Sequence, residues 1–158
     1  MFLAPHQLRI ALMQPQIAPN TGNIARLCVA TGTPLHLVRP LGFILSDKNL
    51  KRSAMDYWDR LQLTVHDDEA GFFNAIDRNR CWFFSTRASQ SFWDVDYRSG
   101  DCLVLGSETH GLRESLLNEN ANRCVRIPQT PDERCLNLST AAGIGLYEAI
   151  RRVNQNRI

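Results

Sequence analysis

LVLGSETHGL (103–112) and, one helical stretch later, IPQTPDERCLNLS (127–139) decide the fold of this chain. Each begins in an apolar run and breaks into turn-forming and polar residues that cannot be core. In an α/β sheet such breaks mark the carboxyl ends of strands, and ligands of such sheets bind in the crevice just beyond those ends. Two of these loops, separated by one helix and followed by a helix rich in small residues, point to one shared site.

Outward from these loops, short apolar runs alternate with helical patterns. Residues 8–13, 34–38, 61–65, 81–85, 102–105 and 124–127 have the length and the β-branched or aromatic content of buried strands. Ile24, Leu27, Cys28 and Thr31 form a helical stripe that Gly32 closes, with Asn20 or Thr21 placed to cap its start. Residues 67–79 and 111–120 read as further helices with acidic residues near their N-termini. In the last helix Leu138, Ala141, Ala142, Gly145, Leu146, Ala149, Ile150 and Val153 share one face, whose small members allow close approach by the sheet or by a partner helix. The alternation predicts an α/β fold with a parallel sheet flanked by helices.

Composition agrees with one globular domain over residues 1–158: 44% hydrophobic and 22% charged residues, with no repeat or linker. The net charge is only +2, but of 18 basic residues just Lys48 and Lys51 are lysines. Arginine presents a planar fork suited to phosphate and base stacking, so this choice hints at nucleic acid, although genome composition gives the same bias. Five cysteines with no C-x-x-C spacing read as reduced core thiols of a cytosolic protein. The four histidines are scattered, so no metal site is expected. The start, MFLAPHQLR, is not that of a secretory signal, and no apolar run approaches the ~20 residues of a membrane span. A cytoplasmic protein is expected.

Three segments are able to carry chemistry. In QPQIAPNTGNIARLCVATG (14–32), Pro19, Asn20 and Gly22 read as a turn, and Arg26 falls in the first half of a helix, where the dipole disfavours a cation unless an anion offsets it. GSETHG (106–111) has P-loop glycine spacing, but Leu112 and Arg113 follow where a lysine and a hydroxyl residue are required, which excludes a nucleoside triphosphatase. It leaves one acid, Glu108. Asn137 and Ser139 flank Leu138; one of them suffices as a helix cap, and no G-x-S-x-G elbow supports a nucleophilic serine.

Taken together, N-x-G-N-I-A-R, L-G-S-E-x-x-G-L and I-P followed by L-N-L-S-x-A resemble, in order and spacing, the three motifs of the SpoU class of SPOUT methyltransferases. LVRPLGF, DKNLKRSAMDYW and LYEAIRR are similar to the minimal members of that class. The resemblance implies a C-terminal deep trefoil knot, S-adenosylmethionine as cofactor, no metal, and methylation of the ribose 2′-hydroxyl of the wobble nucleotide, cytidine or modified uridine, in tRNA. It places Phe84, Gly106, Ile127, Cys135 and Leu136 at the cofactor, Gly106 by permitting close approach. Arg26, Asn20, Glu108, Asn137 and Ser139 form the implied catalytic set, with Arg26 as base or as phosphate anchor; a guanidinium is hard to deprotonate, which favours the anchor. With no accessory RNA-binding domain, the anticodon arm is expected to be gripped by a homodimer built on the small-residue face of the last helix. Arg9, Arg39, Lys48, Lys51, Arg52, Arg87 and Arg113 are candidate phosphate contacts. Methylation of another tRNA or ribosomal position, and a non-catalytic RNA-binding α/β module, remain as alternatives.

Overall fold

The protein is represented by a computed structural model that describes residues 2–46 and 55–155. Seven strands form one sheet: β1 (Arg9–Met13), β2 (Leu35–Val38), β3 (Leu63–His66), β4 (Cys81–Phe84), β5 (Gln90–Ser91), β6 (Cys102–Leu105) and β7 (Cys124–Arg126). Their order is β3-β2-β1-β6-β4-β7-β5, and every neighbouring pair is parallel.

The expected alternation of runs produces this sheet for a simple reason. All four residues of β2 and of β6 are buried, which requires cover on both faces. Side chains alternate along each strand. Ile10, Leu12, Leu35, Leu37, Phe84, Leu103, Leu105 and Val125 therefore enter one core, while Ala11, Met13, Val38, Phe83, Cys102, Val104 and Cys124 enter the other. Helices α1 (Ala18–Thr31) and α4 (Leu138–Gln155) cover the first core. Helices α2 (Glu69–Ala75) and α3 (Glu114–Glu119) cover the second with Phe72, Leu116 and Leu117. The first three strands step outward from β1; the chain then crosses over and inserts β6 between β1 and β4. That reversal of direction opens a crevice at the strand carboxyl ends.

Helix limits differ from the sequence reading where a local bond wins over the helix. Asp68 accepts from the Gly71 amide at 2.7 Å and starts α2; Asp77 accepts from the Asn79 amide at 2.9 Å and begins a separate 3-10 turn, so 67–79 is not one helix. Gly111, at φ 66°, turns back so that its amide donates to the Ser107 carbonyl, and α3 starts only at Glu114. Helix α1 starts at Ala18, not after Asn20: Pro19 occupies its first turn, where a missing N–H costs nothing, and Asn20 is buried inside the helix. Neither Asn20 nor Thr21 caps it. Gly32 closes it in the left-handed region at φ 68°, as expected.

The small residues of α4 serve its own sheet. A Cβ on Gly145 would lie 2.9 Å from Cε1 of Phe84 and 3.3 Å from Cδ2 of Leu103. Leu138, Ala142, Leu146, Ala149, Ile150 and Val153 are buried in the same core. The expectation that this face meets a partner helix is thereby overturned; the exposed apolar residues of α4 are Ile144 and Tyr147, on its other side. Gly145→Ala must displace the Phe84 ring, and overpacking of this kind costs about 1–3 kcal/mol. The expected result is a melting temperature lower by roughly 3–10 °C; an unchanged melting temperature in thermal denaturation would show that the contact is not tight.

Histidines scattered in sequence also meet. His36 Nδ1 and His66 Nε2 lie 3.0 Å apart across β2 and β3, and Phe72 meets both rings edge-on. Burial, then the His66 and Arg9 charges, bring the His36 pKa down from 6.5 to about 4, and burial lowers that of His66. A folded-state pKa below the unfolded one means that the unfolded chain binds the extra proton. Stability is therefore fully present above pH 6.5 and is lost as pH falls toward 4, by up to about 1.4 kcal/mol per unit for one such group. Urea midpoints measured from pH 7 to pH 5 should fall, and His36→Leu should flatten that slope; a wild-type midpoint constant over this range would contradict the assignment.

Candidate active site

Three strand ends open one cleft of about 410 Å³, lined by Ser85 beyond β4, Gly106 beyond β6 and Ile127 beyond β7. Its volume is that of a small-molecule site. Phe84, Leu105, Ile127, Leu136 and Leu138 give it apolar walls, and Asn20, Ser107, Glu108, Gln129 and Asn137 supply polar groups.

The loop after β6 is shaped by glycine. A Cβ on Gly106 would fall 2.1 Å from the Gly111 carbonyl carbon and 2.2 Å from the Leu112 nitrogen. The loop leaves and returns through this point, held by the Gly111 amide on the Ser107 carbonyl at 2.9 Å and the His110 amide on Ser107 Oγ at 3.1 Å. The close approach expected at Gly106 is thus made by the chain's own backbone.

Glu108 projects from this loop to the start of α1. Its Oε2 accepts from the Gln16 amide at 2.8 Å, and its Oε1 accepts from the Ile17 amide at 3.2 Å and from Asn20 Nδ2 at 3.4 Å. Helix α1 has no side-chain cap within its own segment. A carboxylate from 88 residues further on takes that role, where the helix dipole favours it. Asn20 Oδ1 in turn accepts from Asn137 Nδ2 at 3.0 Å. Asn137 Oδ1 accepts from the Ser139 amide at 2.9 Å and from the Ser139 hydroxyl at 2.6 Å, which caps α4. Of the two residues that were able to cap this helix, Asn137 does so, and Ser139 braces it.

Eight of the ten expected site residues line the cleft: Asn20, Phe84, Gly106, Glu108, Ile127, Cys135, Leu136 and Asn137. Ser139 stands behind Asn137. Arg26 is exposed on α1, about 9 Å along the helix from Asn20, with its guanidinium 5.0 Å from the centroid of the Tyr57 ring. The sequence reading missed Leu105, Leu138 and Ala141 as lining residues; each looks like ordinary core. Among the candidate phosphate contacts, Arg39 pairs with Asp67 at 3.2 Å, Arg113 pairs with Glu69, and Arg9 starts β1 at the opposite end of the sheet. Arg87 lines the cleft; Lys48, Lys51 and Arg52 lie outside the described residues. Cys28, Cys81, Cys102 and Cys124 are buried free thiols, whereas Cys135 is exposed on the cleft wall. No group of three metal-ligating side chains occurs among the described residues.

The chain is similar to known proteins over most of its length. The chain is 42% identical over 147 residues, 92% of its length and 94% of the relative's, to the tRNA (cytidine(34)-2′-O)-methyltransferase of Escherichia coli strain K12. It is 44% identical over 144 residues, 90% of its length and 94% of the relative's, to the protein of that name from Methylovorus glucosotrophus strain SIP3-4. A solved structure described as giving insights into the 2-OH methylation of C/U34 on tRNA superposes with a TM-score of 0.92 at 42% identity, covering 96% of this chain and 99% of the other. The sequence profile of the SpoU rRNA Methylase family matches residues 7–147. With all three motif loops joined around one cleft and this match across most of its length, the chain belongs to the SpoU methylase family.

Proposed function

We propose that this protein transfers the methyl group of S-adenosylmethionine to the ribose 2′-hydroxyl of the wobble nucleotide, position 34, of tRNA. The observation that carries the reading is the hydrogen-bonded chain Glu108–Asn20–Asn137–Ser139, which ties the three motif segments together at the mouth of the cleft. The likeness to relatives acting on cytidine 34 supports the choice of substrate.

The cleft fits the cofactor. Phe84, Ile127 and Leu136 offer apolar surface for an adenine, the backbone at Gly106 and Cys135 faces the same space, and the volume suits a molecule of that size. The bound cofactor supplies a sulfonium-activated methyl group with its own leaving group, so the chain needs only to position the hydroxyl and manage its proton. Orientation of this kind recovers up to roughly 7–11 kcal/mol of barrier. Glu108 accepts from three donors already, so it orders the loops. Arg26, exposed on α1 beyond Asn20, anchors an RNA phosphate and so helps to place the reacting hydroxyl. We further propose one domain with a C-terminal deep trefoil knot, for which the late insertion of β6 between β1 and β4 is the supporting feature. A cytoplasmic homodimer would present the anticodon arm with a larger surface. Ile144 and Tyr147 on α4, together with Ile17 at the start of α1, are exposed and apolar enough to carry that pairing, and the buried free thiols suit a reducing compartment.

Calorimetry with S-adenosylhomocysteine in the presence of a chelator should show one saturable site per chain; heats that never saturate would refute the cofactor assignment. Ribose-methylation mapping of RNA with and without the protein should show loss at nucleotide 34 of specific tRNAs, and loss at another position instead would reassign the substrate. Arg26→Ala should lower turnover at saturating tRNA by roughly 100-fold or more with cofactor affinity unchanged. Arg26→Lys should restore little of it, because it keeps the charge but not the fork.

A further inference from the structure

Arg26 stands away from the cleft, and a residue outside the three motifs, Tyr57, holds it there. The 3-10 turn Met55–Arg60 packs against α1 and carries Tyr57. Two guanidinium groups lie on that one ring: Arg26 at 5.0 Å and Arg60 at 5.4 Å from its centroid. Both arginines are exposed and Tyr57 is half-buried. The two charges are therefore within about 10 Å of each other, on the order of the Debye length at physiological salt.

Like charges gathered on one support repel. Among the described residues neither guanidinium forms an ion pair, although Asp56 and Asp59 lie on the same turn. An aromatic face attracts a cation but leaves its N–H edges unused. Two forks held on one ring with their donors free constitute a receptor for an anion that accepts from several directions, and a phosphodiester does so. Arg39 and Arg113, by contrast, spend their donors on carboxylates.

We propose that Tyr57 is a positioning residue that holds Arg26 and Arg60 as a paired guanidinium anchor for an RNA phosphate next to the target ribose. The ring limits the rotamers of both arginines, so the phosphate meets donors that are already placed. Arg60 contributes to RNA affinity, and Arg26 contributes to affinity and to turnover. The proposal rests on the methyltransferase reading above and extends it to Tyr57 and Arg60, which lie outside the three motifs.

The test compares Tyr57→Phe, Tyr57→Leu, Arg60→Gln and Arg26→Ala. Each is assayed for methyl transfer to tRNA under saturating and subsaturating RNA, for anticodon-arm binding across salt concentrations, for S-adenosylhomocysteine affinity and for melting temperature. Tyr57→Phe keeps the ring and should stay within about twofold of wild type, whereas Tyr57→Leu should lose roughly tenfold or more in turnover at unchanged cofactor affinity. Arg60→Gln should weaken RNA binding and reduce the salt slope by about one, with turnover at saturating RNA retained. Wild-type kinetics in folded Tyr57→Leu, Tyr57→Phe as damaging as Tyr57→Leu, or an unchanged salt slope in Arg60→Gln would each overturn the proposal. If Tyr57→Leu fails to fold, the Arg60→Gln slope decides. Full activity in Arg26→Ala would refute the role given to Arg26 itself, a failure distinct from that of its support.

Discussion

Everything at the carboxyl end of this sheet depends on one carboxylate. Glu108 leaves the loop after β6 and takes the amide hydrogens of Gln16 and Ile17, so the first helix begins on a group that the chain supplies 91 residues later. Without it two backbone donors at the helix start and the Asn20 side chain lose their acceptor; water replaces it at the exposed amides, whereas the buried Asn20 loses a partner at a cost of about 1–3 kcal/mol. The same contact fixes the distance between the β6 loop and α1, and so the width of the cleft mouth. Asn20 then passes the constraint to Asn137, and Asn137 to the start of α4. Two helix starts and two loops thus share one polar chain. A change at any member moves the others.

The apolar half of the site is built with equal economy. Gly145 lets α4 approach so closely that the Phe84 ring rests against its backbone, and the same ring forms a wall of the cleft. Phe84 belongs to the core that α1 and α4 cover. Close packing leaves little slack in such a contact. The helix that caps the site through Asn137 therefore also sets the position of its wall, and core packing and ligand geometry cannot vary independently here.

Much of the fold was legible because a doubly covered parallel sheet writes itself as short apolar runs between helical stripes. The runs at 102–105 and in β1 and β2 fall within a residue of the observed strands. Two-residue β5 lay below any periodic signal. Helix limits were misread where Asp68, Asp77 and Gly111 make local bonds that a pattern of apolar residues does not record. At the site, the positions that line the cleft were legible only as a set of three motifs in order. Taken singly, Phe84, Ile127 and Leu136 are ordinary core types. The meeting of His36 with His66, and of Tyr57 with two arginines, depends on neighbouring strands and on a turn packed against α1, so nothing in their sequence spacing announces either.

Glycines show how the same letter carries opposite meanings. Gly106 reads, by its position after a strand, as an opening for a ligand. In the structure the space beside its Cα is filled by the backbone of Gly111 and Leu112, so the glycine closes the loop on itself. Gly145 reads as a seat for a partner helix, and it seats Phe84. In both cases the requirement for close approach was legible from the missing side chain, whereas the chain segment that makes it was not, because sequence spacing states how near something comes without saying what. What distinguishes the two possibilities is topology: a strand inserted late between β1 and β4 obliges the following loop and helix to pack back against segments already in place. The cleft is then the space that this return leaves open, with the motif residues at its rim.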